Sequence, residues 1–180
     1  EEPHRQCEHP FLPARPGSFY RYRLDDGETA VEVELSCVGV EPGASGLVVE
    51  WHASLTMEGL GATTYDVRTT CVPGVGAELP LDGVMRAAAG GIGWPRFLVR
   101  EDLAEGDEWR DEGQAEGGTW RRTYVVGPWR DIALPGGERQ ALELRISEEL
   151  ALSGEMIESA TTLDLVPDLG LSGGQIGAHR

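Results

Sequence analysis

The chain has 180 residues, with 31 acidic side chains against 15 basic ones and a net charge of −16. Every basic residue is arginine. So acidic a chain repels phosphate backbones, which argues against a nucleic-acid partner, and without lysine no chemistry that needs a catalytic or phosphate-binding lysine is open to it. Apolar residues make up 40%, enough for a core, while 25 glycines and 11 prolines, a fifth of the chain, favour turns and short strands over long helices. No stretch approaches the roughly 20 apolar residues of a membrane helix, so no transmembrane segment is expected.

Residues 1–17 form a proline-rich lead holding His4, Cys7 and His9. Residues 1–7 lack the apolar centre of a signal peptide, so an exported protein is read here in its mature form. An aromatic strand at 18–24 ends at the turn Asp25-Asp26-Gly27. Residues 29–40 alternate, with Val31, Val33, Leu35 and Cys37 on one face and Glu32, Glu34 and Ser36 on the other. After a Pro-Gly turn, 47–56 alternate again through Leu47, Val49, Trp51, Ala53 and Leu55. Period two over such lengths predicts half-buried antiparallel strands. A glycine-containing turn at 57–62 leads into a strand at 63–71. Residues 81–89 predict a short helix, with Asp82 as N-cap and Gly90-Gly91 as stop. Further strands are predicted at 108–114, 119–126, 129–134, 139–150 and 155–165. The glycine-rich tail, 172–180, is expected to be loose.

An internal repeat organises these elements. Gly17-Ser18-Phe19-Tyr20 parallels Gly106-Asp107-Glu108-Trp109, a glycine followed three residues later by a large aromatic that opens a strand. Val72-Pro73-Gly74-Val75-Gly76 parallels Val166-Pro167-Asp168-Leu169-Gly170. The offsets, 89 and 94, nearly agree, and residues 1–94 and 95–180 each carry a net charge of −8. The expected fold is all-β, mainly antiparallel. A single domain over 1–180 is built from two related units of four to five strands, 17–76 and 106–170. A connector at 77–105 holds the one helix. Each unit alone leaves an apolar face uncovered, so together they make a curved sheet or half-open barrel.

The chemical motifs are weak. Leu171-Ser172-Gly173-Gly174-Gln175 spells the signature of ATP-binding-cassette ATPases, but the chain has no P-loop, so it reads as coincidence. His4, Cys7 and His9 could hold part of a metal site, yet no second ligand pair completes it. The acids from Glu101 to Glu116 lack EF-hand spacing and read as a solvated face. No G-x-S-x-G is present, and His52 sits on the polar face of a strand beside Glu50. No catalytic residue, metal or cofactor is assigned, and the chain is expected not to be an enzyme. Three cysteines allow one disulfide. Cys37 shares the parity of the apolar residues. Cys7–Cys71 is the first pairing, Cys37–Cys71 the second, and three free thiols the third. Tyr20, Tyr22, Trp51, Tyr65, Trp109, Trp120, Tyr124 and Trp129 all fall in predicted strands. They pack the core, or some of them form the face that meets a ligand or partner.

Pro10-Phe11-Leu12-Pro13 through Gly17 to Tyr20-Arg21-Tyr22 resembles the opening of exported proteins and lipoproteins of Gram-negative bacteria, which run G-x-x-W-x-Y. Leu134-Pro135-Gly136-Gly137 with Ala141-Leu142-Glu143-Leu144 is similar to their hairpin and following strand. Leu165-Val166-Pro167-Asp168-Leu169-Gly170-Leu171 is similar to their closing P-G-[VI]-G-L. Glu138 and Leu165 depart from the pattern by replacing aromatic neighbourhoods. The resemblance implies a location in the periplasm, at the outer membrane or on the cell surface, and a curved antiparallel sheet. Any lipid anchor would precede residue 1, because Cys7 is not terminal. The expected role is a binding or interaction module for an envelope protein or an apolar small molecule. Structural subunit of a surface assembly, with an oligomer and residues 1–17 as a swapped arm, is the second expectation. Hydrolase is the third.

Overall fold

The computed structural model describes residues 6–25, 30–57, 59–88, 97–115, 117–152 and 154–179. The described residues fall into two compact units, 6–88 with 97–101, and 102–179. The first contains β1 (Phe19–Asp25), β2 (Ala30–Pro42), β3 (Leu47–Met57), β4 (Gly61–Val72), β5 (Gly76–Glu78), the helix α1 (Pro80–Ala88) and β6 (Leu98–Arg100). The second contains β7 (Glu108–Ala115), β8 (Gly118–Leu134), β9 (Gly137–Leu152), β10 (Glu155–Val166) and β11 (Gly170–His179). In each unit every strand pairs with its neighbour in sequence, giving one six-stranded and one five-stranded antiparallel sheet, each curled as a half-barrel.

Alternation in sequence becomes alternation in burial. Val33, Leu35 and Cys37 of β2 are buried with Val49, Trp51, Ala53 and Leu55 of β3 and with Val67 and Cys71 of β4. In the second unit Tyr124 and Val126 of β8, Leu142, Leu144 and Ile146 of β9, and Leu163 and Leu165 of β10 make the apolar face. Several expectations need correction. Residues 119–126 and 129–134 are one 17-residue strand, β8, interrupted by a bulge after Val126. Gly127-Pro128 lie in that bulge, where a proline without an N–H is tolerated. The tail is β11, paired along β10, because strand pairing satisfies a glycine-rich backbone as well as any other. The stretch 77–105 contributes strands of its own, β5 and β6. The helix begins at Pro80, so Asp82 lies in its first turn; proline without an N–H suits the first helical position. The turn at 25–27 and the helix stop at 90–91 lie, in whole or in part, outside the described residues.

The two units share local geometry. Gly17 and Gly106 both have positive φ, 89° and 91°. Gly17 N–H donates to Cys37 O at 2.9 Å and Cys37 N–H to Ser18 O at 2.8 Å. Gly106 N–H donates to Val126 O at 3.0 Å and Val126 N–H to Asp107 O at 2.9 Å. In each unit the side chain after the glycine caps the turn, Ser18 Oγ accepting from Arg15 N–H and Asp107 Oδ2 from Ala104 N–H. A one-residue bulge follows Cys37 in β2 and Val126 in β8. The closing turns also match, with Val75 N–H bonded to Val72 O and Leu169 N–H to Val166 O. Asp168 there takes the positive φ, 63°, that Gly74 takes at 76°.

Candidate functional site

The eight strand aromatics divide by environment. Trp51, Trp109 and Tyr124 are 3%, 9% and 1% exposed. Trp51 Nε1 donates to Thr69 Oγ1 at 2.9 Å, which satisfies the indole inside the core. Tyr20 packs on Trp51 with ring centroids 5.8 Å apart and stacks on Tyr22 at 6.4 Å. The Tyr20 hydroxyl donates to Pro13 O, tying the lead to β1. Tyr65 is half-buried on the same face, opposite Ala53. In the second unit Trp109 and Tyr124 are cross-strand partners with rings stacked at 4.6 Å. Burial pushes the Tyr124 phenol up to about 12, and burial likewise raises Tyr20 and Tyr22. Trp120 lies opposite Gly113, where a Cβ would meet the indole at 2.8 Å, so the ring occupies the space a side chain would need. Trp129 follows the β8 bulge and is exposed.

An ion pair sits inside the apolar face of the second unit. Arg122 of β8 faces Glu148 of β9, and Arg122 Nε donates to Glu148 Oε2. Their side chains are only 7% and 11% exposed. The guanidinium also lies 5.7 Å from the centroid of the Trp120 ring. On the opposite face, Glu112, Arg121 and Glu149 form a cross-strand row over β7, β8 and β9, with Arg121 3.8 and 3.4 Å from the two carboxylates. This row borders an open hollow of about 420 Å³ that Trp120 also lines, with Thr119, Ala151 and Met156.

The polar face of the first sheet holds a row that the sequence reading missed. Ser36, His52 and Asp66 are successive cross-strand neighbours on β2, β3 and β4. His52 Nδ1 lies 2.8 Å from Asp66 Oδ1, but Asp66 is 91% exposed and the Ser36 hydroxyl makes no hydrogen bond with the imidazole. The row sets a serine, a histidine and an acid side by side without the serine–histidine hydrogen bond of an activated nucleophile. The β3–β4 register could have been counted from the hairpin at 57–61; the Ser36 alignment depends on the β2 bulge, which alternation alone does not reveal.

Cys7 and Cys71 form a disulfide, and Cys37 is a buried thiol. Burial raises the Cys37 pKa. His9 bonds backbone groups through both ring nitrogens, so neither it nor Cys7 offers a lone pair to a metal; His4 lies outside the described residues. Among the described residues no group of three or more His, Cys, Asp or Glu could hold a metal ion. Three of the acids of 101–112 engage protein partners: Glu101 accepts from Gly74 N–H, Asp107 from Ala104 N–H, and Glu112 faces Arg121. Glu116 lies outside the described residues. The Leu171–Gln175 stretch lies on β11 and not ahead of a helix.

No family model and no curated protein matches the chain in sequence. Two solved structures match its backbone. A Bacteroides fragilis NCTC 9343 protein, inferred to be exported and described with a YmcC-like fold, superposes with a TM-score of 0.60 at 11% identity, covering 94% of this chain and 92% of that one. This chain has the YmcC-like fold. A Parabacteroides distasonis ATCC 8503 protein, inferred to be a lipoprotein, superposes with a TM-score of 0.57 at 13% identity over 93% and 91%. At such identities the YmcC-like likeness concerns the backbone and transfers no site residue.

Proposed function

We propose that this chain is an exported, non-catalytic protein of the bacterial envelope that acts as an interaction module, with a partner protein docking on its sheets. Export is supported by the Cys7–Cys71 disulfide, which suits an oxidising compartment, and by the inferred export or lipidation of the two proteins that share the fold. The observation that carries the binding reading is the burial of Trp51, Trp109 and Tyr124. These three are occupied in packing, Trp120 and Met156 border the open hollow of the second unit, and Phe19, Trp129 and Met156 stay exposed on strands. That arrangement favours a macromolecule on the surface over an apolar ligand within.

The test is native mass spectrometry with lipid extraction, alongside cross-linking in intact envelopes and a fluorophosphonate probe. A reproducible cross-linked partner, no co-purifying lipid and an unlabelled Ser36 are expected. A stoichiometric lipid would replace the docking reading with a carrier. Labelled Ser36 that is lost in His52→Ala would make the protein a hydrolase.

A further inference from the structure

We propose that the lead is an acid-released strap, with His9 as its latch and the Cys7–Cys71 disulfide as its tether. Cys7 and Ala14 form a two-bond bridge, with N–H to O distances of 2.7 and 3.0 Å, that closes a loop over residues 7–14. His9 is buried inside that loop. Its Nδ1 accepts from the backbone N–H groups of Phe11 at 3.1 Å and Leu12 at 3.0 Å. Its Nε2 lies 3.0 Å from Val99 O on β6. A carbonyl only accepts, so Nε2 carries the hydrogen, and two N–H donors on Nδ1 require its lone pair. The ring is therefore neutral and both nitrogens are committed.

A proton added at Nδ1 would point an N–H at two other N–H groups. The imidazolium cannot stay in this seat. Leaving it breaks the tie to β6 and uncovers Phe11 and Leu12, which are buried beside it. The charged groups nearby are Glu8 on the lead, Arg100 and Glu101 at the end of β6, and Glu78 on β5, whose carboxylate accepts from Thr70 N–H. Burial lowers the His9 pKa, while the Val99 carbonyl and the Glu101 charge oppose that shift more weakly. A depressed folded-state value means that the open strap binds the proton first. The closed state therefore keeps its full stability above the ordinary imidazole value of about 6.5 and loses it as pH falls. Cys7 stays bonded to Cys71 throughout, so the released segment remains attached and can close again.

The measurement is hydrogen exchange at the Phe11 and Leu12 amides between pH 7.5 and 5.0, corrected for intrinsic exchange. If the seat rejects the imidazolium, the opening constant rises about thirtyfold over that range. His9→Asn keeps an oxygen acceptor for both amides and cannot be protonated, so its profile is expected to be flat. The proposal fails if wild-type protection stays constant while the His9 ring titrates, or if the asparagine variant opens with the same slope. Should that variant not fold, the wild-type ring and amide titrations decide alone.

Discussion

Burial at single residues determines what the aromatics can do. Tyr20, Tyr22 and Tyr124 have phenols raised above their ordinary value of 10, burial being the leading cause in each. An acid whose folded-state value is raised holds its proton longer in the native chain than in the unfolded one. Stability therefore falls as pH rises past about 10. Alkaline titration followed by phenolate absorbance and circular dichroism is expected to show these tyrosines ionising together with unfolding. Titration of all three within a chain that remains folded would contradict their buried placement. The same reasoning separates Trp129 from the set: its ring, beside a bulge, is exposed where that of Trp51 is buried.

Between strands, the deciding unit is the cross-strand pair. Arg122 lies between Glu148 of β9 and Asp111 of β7, and its pair with Glu148 is the more buried, so removing Glu148 leaves the guanidinium with an exposed carboxylate as its remaining acidic cross-strand neighbour. Glu148→Gln is expected to lower unfolding stability by about 1–2 kcal/mol, less than the loss of one member of an isolated buried pair, because Asp111 remains opposite the guanidinium. The double variant Arg122→Met, Glu148→Leu is expected to recover most of that, because it removes both buried charges, keeps apolar volume and leaves Asp111 exposed to solvent. Urea unfolding of the three proteins checks this; a double variant as unstable as the single one would assign the effect to packing. Strand identity was legible because Val33 to Cys37 and Val49 to Leu55 alternate without interruption. The glycine at position 17 and its counterpart at 106 marked the strand starts. What alternation could not reveal was length and register: the β8 bulge splits the pattern at Gly127-Pro128, and β11 has too many glycines to alternate at all. The Ser36, His52 and Asp66 row was hidden for the same reason, since it exists only once register is known.

At the scale of the chain, the Cys7–Cys71 bond decides how much stability depends on compartment. It closes a loop of about 65 residues, and the chain-entropy relation assigns such a loop about 4 kcal/mol. That is a large share of the 5–15 kcal/mol or so that holds a typical domain folded. The bond also fixes the lead, whose Phe11, Leu12 and Ala14 are buried, so residues 6–17 pack in their own unit and are not offered as a free arm. Reduction should therefore act twice, by restoring entropy to the unfolded chain and by loosening buried apolar contacts. Thermal melts with and without reductant, compared with Cys7→Ala, Cys71→Ala, are expected to show the reduced and double-variant proteins melting about 10 °C below the oxidised one, at 2–4 °C per kcal/mol for a chain of this size. Cys37, buried as a thiol, should leave the melt unchanged when replaced by Ser only if its environment tolerates a hydroxyl; replacement by Val keeps the apolar character and is the better control. Identical melting of oxidised and reduced protein would remove the disulfide from the stability argument, whereas purified protein with Cys7 and Cys71 both reduced would remove it as a support for export.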